Sequence, residues 1–532
     1  MSGKKKNEQQ LKISKREFLG AFAAVGGVSA VLSALDGWGV GIASAAETPP
    51  ELMGRAEGTS VLILGAGLSG MTAAYELTQR GYSCQILEAR PYAGGRCQTS
   101  RAGFQMKDDQ GETQTCDFDE GLHFNNGAWR LPSFHHSVFH YVRKFGVPME
   151  IMVQENDLGY LRRDNAQGPL AGRRLRRREI KADMRGYTSE LLAKLVDQGA
   201  LDNELTGQDK DQLIDYLVGE GFLDARDLSY KGTINRGYEV FDPMGARTAS
   251  EALAFKEILQ SGLGNTFQGV TQVARPHTMY QPVGGMDQIA WAFEREVGRM
   301  TTYNAEVQEL RQDDNGVRVP YRDTNTGEVR VAEADYCITT IPLIILKQLT
   351  TDLPDSCKEA IAAPDITKVS KLALQMNRRF WEEDDDIYGG SSTLGIPGHT
   401  VIYPSYGYFG SKGIIQSMYA IGRSAEQRDG LPLGEQVEWA IEHSEKIHPG
   451  QFRRHYDDRV FSIAWHHTPY NKGGWTAWSN QDRQKYVPLL LEPQGRVYFS
   501  GDYVSGLTAW QAGAIESAWT QIEKLHARVM RA

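Results

Sequence analysis

Cysteine is scarce in this chain, with five residues among 532, and their number and spacing exclude two classes of protein. The odd number leaves at least one thiol free, and no two cysteines have the Cys-x-x-Cys spacing. The pattern therefore indicates neither a dense disulfide framework nor a structural zinc site. The five residues are Cys84, Cys97, Cys116, Cys337 and Cys357.

Positive charge is not in excess either, because the formal net charge is −9 at pH 7. Phosphate contacts need an organised basic surface, so nucleic acid is not expected as the main partner. One basic run, at residues 173–178, is interpreted as a solvated face. With 41% hydrophobic and 23% charged residues, the composition is that of a globular protein able to bury a large core and a cofactor.

Long apolar stretches are confined to the N-terminus. Lysines at positions 4–6 precede a mildly apolar stretch, residues 18–35, and the small residues Ala-Ser-Ala-Ala follow at 43–46. This order predicts a signal peptide over residues 1–45. Ser-Lys-Arg-Glu-Phe-Leu resembles a twin-arginine signal in which Lys15 replaces the first arginine. We therefore expect a periplasmic or secreted protein without a stable membrane span. An uncleaved anchor is the alternative, although glycines weaken a stretch that must cross ~30 Å.

A dinucleotide-binding unit is predicted near the start of the remaining chain. Residues 60–64 form an apolar run of strand length, and the glycine turn Gly-Ala-Gly-Leu-Ser-Gly follows at 65–70. Apolar residues then recur at helical spacing, and a second strand at 83–87 ends at Glu88. The glycine motif alone is weak evidence, but this order of strand, turn, helix, strand and acid is typical of a Rossmann βαβ unit.

Each part of this unit has an expected role. Gly65 permits the tight turn, Gly67 lets the pyrophosphate approach the backbone, and Gly70 lets the helix pack closely on the strand. The N-terminus of that helix offers unpaired N–H groups and a partial positive charge to the phosphates. Glu88 accepts hydrogen bonds from the ribose hydroxyls, and its charge disfavours a 2′-phosphate.

A second glycine pair follows, in Gly-Gly-Arg at residues 94–96. From the glycine turn to this point the chain resembles the flavin amine oxidase family, whose first motif continues from the ribose acid into a Gly-Gly-Arg turn. The resemblance implies FAD rather than NAD, with Arg90, Gly95 and Arg96 beside it. Animal monoamine oxidases attach FAD through a cysteine after a later Gly-Gly pair. Trp475 takes that position here, so non-covalent FAD is expected.

Residues 126–132, Asn-Gly-Ala-Trp-Arg-Leu-Pro, resemble the Gly-x-Met-Arg-x-Pro segment of the L-amino acid oxidase branch. The resemblance implies that Gly127, Ala128 and Trp129, which replaces the methionine, lie beside the cofactor with Arg130. It further implies that Arg130 binds the substrate carboxylate. A planar guanidinium suits this role because it can hold a carboxylate through two parallel hydrogen bonds.

Three segments extend the resemblance through the middle of the chain. Residues 284–289 resemble the central Gly-Gly-Met-Asp motif of the family. Residues 302–310 are predicted as one strand, in which the backbone of Val307 is implied to meet the adenine. Residues 336–342 resemble the strand-to-proline segment that returns beside the flavin.

A lysine is expected near the reacting atoms. Residues 370–374 alternate at strand period, and in related enzymes the lysine of this strand contacts a water near flavin N5. Lys371 is the candidate, and Lys368 is the alternative. A cation there favours superoxide formation when oxygen is reduced.

The C-terminal part adds a strand that ends at Gly501-Asp502 and a helix that opens near Gln511. The family places this helix N-terminus against the flavin ring, where its dipole stabilises negative charge, and Asp502 takes the place of a glutamate beside the ribityl chain. Trp475 and Trp510 match two positions that line the substrate cavity. Adjacent His466 and His467 would point to opposite faces of a strand, so no metal site is expected there.

The predicted fold is an α/β mixture in which a Rossmann-like FAD-binding domain is interleaved with a mixed-sheet substrate domain and a helical insert. The FAD-binding domain is predicted at 58–105, 275–345 and 485–532, the substrate-binding domain at 106–148 and 346–484, and the helical insert at 149–270.

The resemblance implies oxidation of an L-amino acid by FAD and molecular oxygen to the 2-oxo acid, ammonia and hydrogen peroxide, by a homodimer. A monoamine or polyamine oxidase and a flavin monooxygenase of amino acids remain alternatives on the same fold. A cell-envelope binding protein that oxidises nothing is a third, and the side chain of the substrate stays open.

Overall fold

The computed structural model describes residues 47–240, 244–245, 248–267 and 276–531. The expected signal peptide, residues 1–45, lies outside these residues. Within them the strands, in chain order, are β1 (Ser60–Leu64), β2 (Ser83–Leu87), β3 (Gln105–Lys107), β4 (Thr113–Thr115), β5 (Met149–Val153), β6 (Tyr160–Leu161), β7 (Leu175–Arg176), β8 (Tyr238–Val240), β9 (Thr248–Ala249), β10 (Thr278–Pro282), β11 (Thr301–Thr302), β12 (Ala305–Val307), β13 (Glu309–Gln312), β14 (Val317–Asp323), β15 (Val329–Ala334), β16 (Tyr336–Thr339), β17 (Thr350–Thr351), β18 (Asp365–Thr367), β19 (Val369–Met376), β20 (Ser391–Ser392), β21 (His399–Ile402), β22 (Gly413–Ile421), β23 (Tyr456–Ala464), β24 (Trp475–Ala477) and β25 (Val497–Phe499).

The helices of the same residues vary from single turns to more than five turns. They are α1 (Leu68–Thr78), α2 (His136–Lys144), α3 (Arg177–Asp197), α4 (Gly207–Gly221), α5 (Phe255–Ser261), α6 (Gln288–Val297), α7 (Leu343–Leu346), α8 (Asp355–Ala362), α9 (Phe380–Glu383), α10 (Arg423–Asp429), α11 (Leu433–Glu445), α12 (Phe452–His455), α13 (Asn480–Leu491) and α14 (Gln511–Val529). Among the described residues, none of the helices combines the length and the apolar character that a bilayer crossing requires.

A parallel sheet with the strand order β11-β2-β1-β16-β25 forms the centre of the first domain. Residues 61–64 of the central β1 are apolar and buried because both faces of the sheet are covered there. Val61 and Ile63 pack in the core that contains α1, α2, α6 and α14, whereas Leu62 and Leu64 pack in the opposite core with α7, α8 and α13. This is the Rossmann-like sheet that the apolar run and glycine turn predicted.

An antiparallel sheet with the order β20-β21-β22-β19-β23 forms the second large layer. All eight residues of its central β19 are buried, so both faces of that strand are covered. Lys371 lies in this strand and is opposite Tyr419 of β22. Residues 370–374 alternate between polar and apolar side chains, but both faces of the strand are buried. The alternation therefore does not mark a solvent-exposed face.

The prediction of one strand over residues 302–310 is wrong. Three short strands occupy the region: β11 joins the parallel sheet, whereas β12 and β13 pair with β14 in another sheet. Asn304 separates β11 from β12 with a φ of 56°, a left-handed conformation that asparagine tolerates better than most residues. The chain thus turns away from the parallel sheet at a residue that the apolar pattern does not mark.

Two elements contact a predicted domain other than the one that their segment was assigned to, and the domain boundaries stay a prediction. Helix α2 lies in the segment assigned to the substrate domain, but its Tyr141 and Val142 pack in the same core as α1 and α14. Strand β5 begins the predicted helical insert and pairs antiparallel with β10. Helices α3, α4 and α5 do follow within the insert, and α3 packs on both of the others.

Candidate active site

A cavity of about 960 Å³ opens at the carboxyl ends of the parallel strands. Gly65 follows β1, Glu88 follows β2, Thr340 follows β16, and Gly501 follows β25 after one residue; all four line the cavity. Ligands of open α/β sheets bind at this edge. The antiparallel sheet supplies a facing wall, so the cavity lies between the two main layers.

The predicted site residues converge on this one cavity, with one exception. Those that line it are Gly65, Gly67, Glu88, Arg90, Gly95, Arg96, Gly127, Ala128, Trp129, Arg130, Val307, Lys371, Trp475, Gly501, Asp502, Trp510 and Gln511. Gly70 does not line it. A Cβ atom there would lie 2.1 Å from the carbonyl oxygen of Gly65, so a side chain would separate α1 from its strand.

The glycine turn leaves the space that a phosphate group needs. Gly65 has a φ of +106°, which favours glycine, and a Cβ atom would lie 2.5 Å from Thr340 Oγ1. A Cβ atom on Gly67 would meet nothing within 4 Å, which marks open space directly above the turn. The second glycine pair borders the same space, because Gly67 and Gly94 form a β-bridge.

Two helix N-termini lie at the cavity without side-chain caps. Gly67 precedes α1 and Trp510 precedes α14, and neither provides a capping hydrogen bond or an acid in the first turn. Leu68, Ser69 and Gln511 of these first turns line the cavity. Unpaired N–H groups and the positive end of each dipole favour bound negative charge.

Glu88 is held by two backbone donors. The N–H groups of Ala66 and Arg90 donate to its two carboxylate oxygens at 2.7 and 3.0 Å. Burial raises the pKa of Glu88, and the positive charge of Arg90 opposes that effect. Each carboxylate oxygen keeps further acceptor capacity for a hydroxyl group.

Arginines fix the loops around this end of the cavity. The Arg90 guanidinium donates to the carbonyl oxygens of Gly95, at 3.2 Å, and Pro469, at 2.9 Å. Arg96 pairs with Asp502 at 2.5 Å and donates to the carbonyl oxygen of Gly474 at 2.6 Å. The segments after β2, β23 and β25 are thereby tied together.

These residues fit a dinucleotide cofactor. Gly67 leaves open space at an uncapped helix end, and Glu88 can accept from a ribose. Gln511 adds a buried Oε1 atom with no hydrogen-bond partner, which suits a bound donor. The open space at Gly67 would receive a pyrophosphate, Glu88 would accept hydrogen bonds from a ribose, and Gln511 Oε1 would accept one from a polar ring edge.

Aromatic rings and two cations line another part of the cavity. The rings of Trp129 and Tyr419 stack edge to face with centroids 5.9 Å apart. The Arg130 guanidinium lies 4.1 Å from the centroid of Trp129, and Lys371 Nζ lies 5.2 Å from that of Tyr419. Positive charge over aromatic faces is stabilised by the ring quadrupole, and most strongly where water is excluded.

Lys371 is only 3% exposed, and its Nζ donates to the carbonyl oxygen of Gly127 at 2.6 Å. Burial, and after it the positive charge of Arg130, together lower the pKa of Lys371 from 10.5 to about 7. Its proton is therefore exchangeable near neutral pH. Lys368, the sequence alternative, forms an ion pair with Glu426 and does not line the cavity.

Tyr419 and Trp465 also line the cavity, although the sequence analysis did not single them out. Trp465 donates from its indole nitrogen to the carbonyl oxygen of Asn126 at 2.9 Å, which fixes its ring against the segment that contains Arg130. Both residues lie outside any motif. Only the pairing of β22 and β23 with β19 brings Tyr419 opposite Lys371 and Trp465 beside Val369.

The argument from strand alternation does not apply to the histidine pair. Strand β23 ends at Ala464, and His466 and His467 lie in the turn that follows. Their ring centroids are 4.8 Å apart, and both rings approach Asp429 of α10.

A dinucleotide cradle that continues into an aromatic slot fits an oxidoreductase of the flavin type. The chain belongs to the family of flavin-containing amine oxidoreductases, whose model matches residues 68–521. The α/β fold predicted from the sequence is confirmed.

Individual relatives agree with this assignment. An L-amino-acid oxidase of Echis ocellatus is 26% identical over 479 residues, covering 86% of this chain and 87% of that protein. A structure of putrescine oxidase bound to putrescine superposes with a TM-score of 0.57 at 16% identity, over 89% of this chain and 99% of the other. The structure of cyclohexylamine oxidase from Brevibacterium oxydans IH-35A superposes with a TM-score of 0.56 at 17% sequence identity, over 89% of this chain and 99% of the other. The two structures support the fold alone.

Proposed function

We propose that this protein oxidises an L-amino acid to the 2-oxo acid and ammonia, with molecular oxygen as the acceptor and hydrogen peroxide as the second product. The observation that carries the proposal is the placement of Arg130 and Lys371 together in the aromatic part of the cavity. Two basic side chains in an aromatic slot suit a substrate with a carboxylate.

The acids that line the cavity support the same choice. Each has partners: Glu88 binds backbone N–H groups, Asp109 pairs with Lys472, Glu306 pairs with Arg322, and Asp502 pairs with Arg96. A substrate with a second ammonium group, such as a diamine, would need an acid available to receive it. The charges of the lining therefore favour an amino acid over a polyamine.

The side chains would act by binding, orienting and excluding water. Arg130 holds the carboxylate, which fixes the direction of the Cα–H bond. Trp129, Trp475 and Trp510 exclude water, which disfavours the charged amine and leaves more of it neutral. FAD, when bound, supplies the two-electron acceptor for the carbon next to the amine nitrogen. Lys371 Nζ can hold or release a proton near neutral pH.

A peroxide assay tests the proposal most directly. The purified protein would be offered the twenty common amino acids in both enantiomers, together with their decarboxylated amines and short diamines. We expect peroxide, ammonia and 2-oxo acid in equal amounts from one group of L-amino acids. Peroxide from amines alone would indicate an amine oxidase. An amide product would indicate a monooxygenase. A bound flavin that none of the compounds bleaches would indicate a binding protein.

Tyr419→Phe is expected to raise KM for the best amino acid by roughly 10- to 150-fold. Tyr419 lies opposite Lys371 across the strand pair and beside Trp129, so its hydroxyl can donate to the carboxylate that Arg130 holds. A hydrogen bond to a charged group contributes about 1.5–3 kcal/mol. Steady-state kinetics with the acid and its decarboxylated amine measure the effect, and an equal change for both substrates would contradict it.

FAD is proposed to be bound without a covalent bond, because Trp475 follows Gly473-Gly474 and neither Cys337 nor Cys357 lines the cavity. Cys97 does line it, but its buried thiol donates to the carbonyl oxygen of Met286. Denaturing the yellow protein with acid should therefore release all of the flavin into the supernatant. Mass spectrometry of the released compound should give intact FAD. Yellow colour that stays in the precipitate would contradict the prediction.

We further propose export through the twin-arginine route and a homodimer, on the basis of the N-terminal sequence and the family resemblance. A cofactor acquired during folding favours export of an already folded chain. Cell fractionation with Arg16→Lys as the comparison, N-terminal sequencing of the mature protein and light scattering would test these points.

A further inference from the structure

Asp429, His466 and His467 bring three potential metal ligands together outside the amine-oxidising slot. Asp429 is the last residue of α10, and the two histidines lie in the turn after β23. One carboxylate oxygen and one nitrogen of each ring all lie within 4.8 Å of one another. Most of this group is shielded from solvent, since the side chains of Asp429 and His466 are 8% and 7% exposed.

The spacing suits a small divalent cation. A tetrahedral centre with bonds of about 2.1 Å places its ligand atoms about 3.4 Å apart. The distance from His467 Nε2 to Asp429 Oδ2 is 3.5 Å. His466 Nε2 contacts the same carboxylate oxygen. A metal ion would enter between these three atoms and replace the contacts that they now make with each other.

The surroundings of the His467 ring are those of a metal-bound histidine. His467 contacts Asp109 Oδ1 through its other nitrogen, Nδ1, at 3.1 Å, and Lys472 pairs with Asp109. A carboxylate behind a ligating imidazole fixes its tautomer and raises its basicity. The other nitrogen of His466, Nδ1, is buried, so Nε2 is the His466 nitrogen that faces Asp429 and would bind the metal.

We propose that Asp429, His466 and His467 bind one zinc-like divalent metal ion, with a water molecule as the fourth ligand. Two imidazoles and a carboxylate are a donor set that favours zinc and its first-row neighbours over calcium or magnesium. His467 is 35% exposed, which leaves access for the ion and the water. This site is separate from the proposed amine oxidation and does not depend on it.

The metal would hold one wall of the cofactor cavity in place. It would join α10 to the segment 465–472, in which Trp465 lines the cavity and Asn471 and the carbonyl of Pro469 bind Arg90. A cross-link between two elements stabilises the folded state by mass action, since the unfolded chain lacks the arranged ligands. We therefore expect the metal to affect thermal stability more than the chemistry of the slot.

The test uses the purified protein with its flavin bound, dialysed against a chelator and titrated with Zn²⁺ or Co²⁺. We expect one Zn²⁺ per chain by calorimetry, and Co²⁺ absorption bands of a four-coordinate site beyond 520 nm, where oxidised flavin absorbs little. Saturating Zn²⁺ should raise Tm by roughly 2–5 °C. Asp429→Asn and His467→Ala should each weaken binding by at least about 100-fold, and Asp109→Asn by about tenfold.

His277→Ala is the matched control, because His277 also lies near a carboxylate, 3.9 Å from Glu155, but has no second histidine beside it. It should bind Zn²⁺ as the unmodified protein does. Flavin absorbance at 450 nm reports whether each variant is folded. The proposal is overturned if the dialysed protein takes up no stoichiometric metal, or if Asp429→Asn binds it as tightly as the control.

Discussion

Arg130→Ala is expected to lower kcat/KM for the best L-amino acid by roughly 10²- to 10³-fold. Arg130 lies in the aromatic slot with its guanidinium 4.1 Å from the centroid of Trp129, so a carboxylate bound there meets a rigid cation that is partly shielded from water. Removing one member of a buried, hydrogen-bonded charge pair costs about 2–5 kcal/mol, which corresponds to the expected loss. Steady-state oxygen consumption measures it.

The same substitution should have little effect on an amine without a carboxylate. If Arg130 acts by holding the carboxylate, kcat/KM for the decarboxylated amine changes by less than about threefold, and the preference for the acid disappears. Arg130→Lys should recover only part of the loss, because an ammonium group cannot form two parallel hydrogen bonds. Two substrates and two variants thus separate the role of charge from that of geometry.

Arg143→Ala provides the control for the loss of an arginine over an aromatic ring. The guanidinium of Arg143 lies 6.0 Å from the centroid of Phe139, but the residue is exposed and does not line the cavity. Its kinetics should match those of the unmodified enzyme with both substrates. Equal losses on acid and amine in Arg130→Ala would mean that the residue supports the slot without binding carboxylate.

The cofactor end of the cavity could be predicted from the sequence because its determinants are local. Gly65, Gly67 and Glu88 lie within one βαβ unit. The periodicity of its apolar residues predicts the strands and the helix, and the spacing of its glycines predicts the turn. The backbone geometry around these residues then follows from the same few torsion angles. A short stretch of sequence therefore contains most of the information that positions them.

The substrate end depends on contacts between distant segments, which sequence patterns describe poorly. Tyr419 reaches Lys371 only through the register of β22 on β19, and Trp465 lies just beyond the last residue of β23. A shift of one residue would turn each side chain to the other face of its sheet. No spacing along the chain reports that register.

Local backbone changes account for the clearest errors. The left-handed turn at Asn304 ends a strand that apolar alternation alone would continue, and the turn after β23 brings His466 and His467 to one carboxylate. Both features depend on a single change of backbone direction. Periodicity averages over several residues and is insensitive to such a change.

Lys371→Met is expected to slow the use of oxygen by about 100-fold and to remove a pH dependence centred near 7. The pKa of Lys371 is lowered to about 7, so its positive charge is present below that pH and is lost as the pH rises through it. A buried cation stabilises superoxide, the anion that oxygen forms when it accepts the first electron. Stopped-flow oxidation of the reduced enzyme between pH 6 and 9 measures both effects.

Stability should change with pH in the opposite sense to the oxygen reaction. Because the folded pKa of Lys371 is lower than its unfolded value of 10.5, the charged residue destabilises the fold in full below about pH 7, and the penalty shrinks as the pH rises towards 10.5. Lys371→Met should therefore be most stabilising at pH 6. The gain in the free energy of unfolding that Lys371→Met provides should be about 2–3 kcal/mol smaller at pH 9 than at pH 6, since one pKa unit corresponds to ~1.36 kcal/mol.

Denaturant unfolding of the flavin-bound protein at both pH values measures this difference, and Lys368→Met is the matched control. Lys368 lies three residues away but is only partly buried and pairs with Glu426. The free energy of unfolding of Lys368→Met should therefore stay within about 1 kcal/mol of that of the unmodified protein at either pH. A slow oxygen reaction without the change in stability would place the charge elsewhere in the cavity. Since one buried ammonium group controls both quantities, the fall of the oxygen reaction and the onset of the decline in the stability difference must share a pKa near 7 if Lys371 carries that charge.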